Sequence, residues 1–148
     1  MTPLNQYYDL ARNHGRFLAF GFLMAFTSSA GQTYFIGIFG PEIRAAFSLS
    51  HTEWGSIYLA GTLCSALVLA WSGQLIDRTE LWKYTAVVIA GLVIACLVIS
   101  VAQTILVLVL AIFLLRHFGQ GLTSHTSVTS MARYMAAHRG KSIAIASM

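Results

Sequence analysis

Arg116 is the only Lys, Arg, Asp or Glu between Lys83 and Arg133, and polar side chains follow it at helical spacing. Gln120, Thr123 and Ser127 come after it at intervals of four, three and four, which puts all four residues on one face of an α-helix. A guanidinium carries five donors and no acceptor, so it can grip a carboxylate bidentately while Gln120 and Thr123 orient it. The stripe thus offers recognition of a small anionic substrate. The same arginine has a second use, as a donor to a backbone carbonyl or to an acidic partner on another helix. Upstream, Ser28, Ser29 and Gln32 form a similar polar cluster, although a lone glutamine in an apolar helix also serves helix packing.

Other chemistry is thinner. His117 and His125 are eight residues apart, about 80° from alignment on a helix, and make a poor paired set of metal ligands. Cys64 and Cys96 lie inside apolar runs, with no disulfide framework or cysteine metal site around them. No nucleophile has a positioned base, so no enzyme and no cofactor are expected. The net charge of +4 comes from scattered cations and not from a dense stripe able to track phosphates, which excludes nucleic-acid binding.

The elements that must position these residues follow from composition. Of 148 residues, 57% are apolar and 9% charged, against roughly a quarter charged in a soluble domain. A bilayer crossing needs about 20 mostly apolar residues. Residues 17–39 and 54–76 each supply one. The tract 84–115 is too long for one crossing, and its polar pair Gln103 and Thr104 marks a turn. Four spans result: 17–39, 54–76, 84–102 and 105–130. The fold class is all-α, a polytopic helical membrane protein in contact with the lipid bilayer. Arg116 then lies at membrane depth, where a charge is costly and marks function or structure.

Cations orient the spans, because short cytoplasmic loops collect them. Arg12, Arg16, Arg78, Lys83, Arg133, Arg139 and Lys141 share one side and Arg44 lies opposite, so the amino terminus is cytoplasmic. Ending at span three would put Arg133, Arg139 and Lys141 outside, which independently supports a fourth span. Arg12 and Arg16 before an apolar run, with Ser28, Ser29 and Ala30 after it, resemble a signal peptide; the apolar run resuming at Tyr34 favours a full span.

Local chemistry defines helix ends. Gly40 and Pro41 stop span one, and Ser50 to Glu53 reads as a capping box opening span two. Ser56, Ala60 and Cys64, with Gly61 and Ser65 beside them, form a small-residue stripe for close helix approach. Span three is apolar all round and expected to face lipid. Trp54, Tyr58, Trp82 and Tyr84 fall at span ends as interfacial anchors. No linker or low-complexity segment divides residues 1–148, which read as a single transmembrane unit. A fifth helix beginning about residue 142 breaks off at Met148, so the remainder of a longer chain is expected to be missing.

Gly73, Leu75, Asp77, Arg78 and Lys83, within Gly-Gln-Leu-Ile-Asp-Arg-Thr-Glu-Leu-Trp-Lys, resemble the cytoplasmic loop motif between helices two and three of the major facilitator superfamily. Glu80, Leu81 and Trp82 replace the glycine and basic residues of that motif's second half. Pro41, Phe47, Leu49, Ser50, Trp54 and Gly55 resemble the first outer loop running into helix two. Arg139, Gly140 and Lys141 resemble the loop before helix five, and Arg116, Gly119 and Gly121 the pattern of helix four. The resemblance implies helices one to four and the start of five of a secondary transporter with twelve helices in two six-helix halves. It makes helices one and four cavity-lining neighbours, so Arg116, Gln32, Gln120, Ser28 and Thr123 would bind substrate. Gly73, Asp77, Arg78 and Lys83 would serve conformational change. Alternating access needs a second half, so these residues alone are not expected to transport. A small helical accessory or structural subunit in the membrane is the alternative; it would leave the loop motif unexplained.

Overall fold

The computed structural model describes residues 3–148, and among them every regular element is helical. Helix α1 (Pro3–Thr27) kinks at His14 and ends in a 3₁₀ turn, Ser28–Gly31. Gln32 is extended, with φ −77° and ψ 148°, before the short helices α2 (Thr33–Ile38) and α3 (Gly40–Ala46). Helix α4 (His51–Ser72) continues as a 3₁₀ turn through Gly73–Asp77, and α5 is Leu81–Ser100. A single long helical stretch follows as α6 (Ile105–Leu114), a π-helical segment (Leu115–Thr123) and α7 (Ser124–Tyr134). A 3₁₀ turn, Ala136–His138, leads to α8 (Arg139–Ala146), which starts a few residues earlier than the sequence suggests.

Among the described residues, three stretches are long and apolar enough to cross a membrane: His51–Asp77, Leu81–Ser100 and Ile105–Tyr134. The stretch 17–39 differs from its expectation because it is not one helix. Hydroxyls there take backbone carbonyls, Thr27 bonding Leu23 at 2.7 Å and Ser28 bonding Ala25 at 2.6 Å. Such side-chain bonds and a glycine at position 31 favour a break. The turn after it also differs. α2 ends at Ile38, just before Gly40 and Pro41 as expected, but Pro41 also begins α3, a place where its missing amide costs nothing.

Other helix ends fall where their side chains dictate. Ser50 Oγ accepts from the Glu53 amide at 3.2 Å, and Glu53 Oε2 accepts from the Ser50 amide at 2.8 Å, completing the capping box. Thr104 caps α6 by accepting from the Val107 amide at 3.3 Å, so Gln103 and Thr104 do form the turn after α5.

The α6–π–α7 stretch is the centre about which the other helices pack. Leu108, Ala111 and Ile112 are fully buried between α4 and α5. The small-residue stripe of α4 is displaced from its expected face. Ile57, Gly61 and Ser65 are buried, whereas Ser56, Ala60 and Cys64 are exposed. Gly61 lets Ile112 approach to where an added Cβ would lie 2.8 Å from Ile112 Cγ2. On α5 the inner face is Tyr84, Val88, Gly91, Leu92 and Ala95, with Gly91 seated on the Phe118 ring. Only the outer half of α5 is therefore free for lipid. Tyr58 and Tyr84 serve helix contacts too, donating to Thr33 Oγ1 at 2.9 Å and to the Ser72 carbonyl at 3.3 Å. Large apolar side chains cover the outward surface, among them Leu63, Leu67 and Trp71 on α4 and Val87, Ile94 and Leu97 on α5.

Candidate functional site

The polar residues of α1 and of the central stretch meet where both depart from α geometry. Gly31, at the end of the 3₁₀ turn, lies against Gly119 of the π segment. A Cβ added at Gly31 would sit 2.8 Å from Gly119 Cα, and one added at Gly119 would sit 2.7 Å from Gly31 Cα. Two glycines are needed for that backbone-to-backbone approach. Arg116 spans the break. Its Nη1 donates to the Gly31 carbonyl and to Thr33 Oγ1, each at 3.1 Å, and its guanidinium lies 5.4 Å from the centre of the Tyr58 ring. The break leaves carbonyls without helical partners, and a charged donor satisfies one of them. None of these partners is a carboxylate.

The rest of the stripe divides between packing and open valence. Thr123 is fully buried and donates to the Phe118 carbonyl five residues back, within the π segment. Ser127 donates to the Gly21 carbonyl of α1 at 2.7 Å. Ser28 is buried, and Gln32 Nε2 reaches Ser28 Oγ at 3.5 Å. Ser29 accepts from Tyr34. The spacing argument assumed an unbroken α-helix; the wider π turns rotate Thr123 into the seam between helices. Two buried atoms beside the break stay unpaired, Arg116 Nε and Gln120 Oε1. They are one donor and one acceptor, four residues apart.

The loop motif docks onto α7. Asp77 lies 3.7 Å from Arg133, which also donates to the Ile76 carbonyl at 3.4 Å. Gly73 offers its carbonyl to His125 Nε2 at 3.1 Å. Lys83 pairs with Glu80 at 2.9 Å and stacks on Trp82, while Arg78 is exposed. The Lys83 ammonium, and then the Trp82 indole, hold the Glu80 carboxyl below its ordinary value. Asp77 thus faces Arg133 across two helix ends, and Arg78 takes no part in that pair.

An apolar cavity of about 510 Å³ opens between α2, α3, the end of α5 and the α6–π junction, with Glu42 among its lining residues. Arg116 is not on its wall. Sequence reasoning overlooked Gly31, Thr33 and Tyr58 as partners of Arg116; the signal was the Ser28 to Gln32 cluster itself, too polar for a continuous span. His117, weighed in the sequence only as a metal ligand with His125, has a buried ring that stacks on Phe113 at 5.6 Å between centres. Comparison with protein-family models, curated proteins and solved structures returned no match.

Proposed function

We propose that this chain is the amino-terminal part of a major facilitator superfamily transporter. It lies in the cytoplasmic membrane with its amino terminus inside, and it moves a small organic anion by alternating access. The observation that carries this reading is the crossing at Gly31 and Gly119, where a broken helix meets a π segment around Arg116. Broken backbone at membrane depth is tolerated only where protein buries it or where it lines a water-filled cavity, and transporters place substrate sites at such discontinuities. Arg116 Nε and Gln120 Oε1 are the free donor and acceptor there. Two departures from α geometry facing one another also give the helices somewhere to bend. Arg116 draws the anion, and Gln32, Ser28 and Gln120 orient it as the break opens. The contact of Asp77 with Arg133 latches the cytoplasmic ends.

A structural accessory subunit is the second reading, favoured by the use of Arg116 Nη1 on neutral partners within the bundle. Uptake of labelled short-chain mono- and dicarboxylates into proteoliposomes carrying the intact protein separates the two. Saturable uptake of any of them supports transport, and uptake no faster than through empty vesicles for the whole panel overturns it.

A further inference from the structure

We propose that the site at the break of α1 is built for a 2-hydroxycarboxylate, a monoanion with a neutral hydroxyl on the carbon next to the carboxylate. The inference rests on the transport reading above and names the substrate class of that same site. A guanidinium has five N–H donors in a fixed fork. Arg116 Nη1 carries two of them and faces two acceptors, the Gly31 carbonyl and Thr33 Oγ1, each at 3.1 Å. Thr33 Oγ1 also accepts from the Tyr58 hydroxyl at 2.9 Å, and the Tyr58 ring faces the guanidinium, so protein closes that end of the fork. The other edge is Nε–H beside Nη2–H. Nε is buried without a partner, and among the described residues Nη2 has none either. Two parallel N–H bonds on one edge match the two oxygens of a carboxylate. Holding the broken helix and holding a carboxylate thus fall to different edges of one side chain, and neither contact has to be given up for the other.

The hydroxyl follows from Gln120. Its Oε1 is buried and unpaired, and its backbone amide is one of the groups against which Gly31 packs. An amide oxygen only accepts, so the group that fills this place must donate. Side chains four residues apart on a helix start about 5–6 Å from one another, which suits a donor one or two bonds from the carboxylate and not one at the far end of a long chain. Charge then decides between the two common donors, hydroxyl and ammonium. Arg116 has no carboxylate among its partners and is the only Lys, Arg, Asp or Glu between Lys83 and Arg133. A hydroxy acid brings the single negative charge that neutralises it. An amino acid adds a second cation that nothing nearby balances.

Uptake into proteoliposomes carrying the intact protein should be measured for three compounds of similar size: lactate, propionate, which lacks the hydroxyl, and alanine, which has an ammonium in its place. Lactate is expected to exceed propionate in kcat/KM by at least about 5-fold, the effect of leaving one buried acceptor unpaired, with alanine below both. Gln120→Leu keeps the volume and removes the acceptor, so it should bring the ratio of lactate to propionate close to one. Gln120→Met repeats that test in an unbranched side chain, and detergent melting of both variants separates a lost acceptor from a lost fold. Equal use of lactate and propionate by the parent protein overturns the proposal, as does alanine matching lactate or a preference that survives in both variants.

A second readout needs no transport. In protein labelled with ¹⁵N-arginine and held in nanodiscs, Arg116 is assigned from its loss in Arg116→Lys. Lactate should shift the Arg116 Nε–H resonance at concentrations where propionate and alanine leave it in place. Absence of uptake for every compound would sink the transport reading and leave this resonance to decide the ligand class. An Nε–H that lactate does not move overturns the proposal.

Discussion

Replacing Gly31 with alanine inserts one methyl group where two backbones touch. Its Cβ would lie 2.8 Å from Gly119 Cα and would also overlap the Leu115 carbonyl and the Gln120 amide. Ordinary contact begins near 3.4 Å, so Gly119 Cα alone, at 2.8 Å, demands 0.6 Å of separation between α1 and the central stretch, and the Leu115 carbonyl and Gln120 amide, which lie closer still, demand more. Every obstructing atom is backbone, so no side-chain rotation can relieve the clash. Overpacking of this kind costs about 1–3 kcal/mol, and the loss belongs at the upper end because opening also strains the Arg116 bond to Gly31. At about 2–4 °C per kcal/mol for a chain of this size, the detergent melting temperature should fall by about 6–12 °C. Gly37→Ala and Gly55→Ala are the controls. Nothing lies within 4 Å of either added Cβ, and both positions are helical, so they should be neutral or stabilise by up to about 1 kcal/mol. Gly31→Ala melting together with Gly37→Ala would refute the close crossing.

Ser127→Ala removes the bond to the Gly21 carbonyl, and membrane hydrogen bonds of this type average about 0.6 kcal/mol with a maximum near 1.7; thermal unfolding should show a loss clearly smaller than that of Gly31→Ala. Impermeant thiol labelling, in a background lacking Cys64 and Cys96, should mark a cysteine at Ser48 from outside intact cells and leave one at Thr79 untouched. Glu80 has a lowered carboxyl value, so its bonds to Lys83 and Trp82 contribute fully above the unfolded carboxylate range and disappear as pH falls through the folded value. In an acid titration followed by Trp fluorescence, Glu80→Gln should remove that component.

The sequence shows the helical class plainly because charge-free tracts of bilayer length have few other uses. The capping box and the Gln103 and Thr104 turn were legible for a local reason: short-range side chains satisfy those backbone groups. The break in residues 17–39 was less so. Hydropathy averages over Ser28 to Gln32 and reads a continuous span, whereas the hydroxyls capture carbonyls one turn back. The stripe from Arg116 to Ser127 was found with the wrong geometry, since 3.6-residue spacing assumes away the π turns that bury Thr123. The α4 stripe failed differently. Small residues cover two adjoining faces there, and only packing against Ile112 decides which of them turns inward. The hydrogen-bond partner of His117 was not legible, because Ser72 lies 45 residues away in the chain.

The central claim is that Arg116 meets substrate at the break of α1 and does more than hold the helix together. Leaving it buried without compensation would cost at least about 2.5–3.5 kcal/mol on insertion scales, so either function or packing has to use it. Carboxylate uptake and detergent thermostability should be measured side by side for Arg116→Lys and Arg116→Gln in the intact protein. Lysine keeps the charge and a donor for the Gly31 carbonyl but loses the planar fork. The account predicts a lysine variant that reaches the membrane and melts near the parent while uptake is largely lost. Full uptake by the glutamine variant would contradict it.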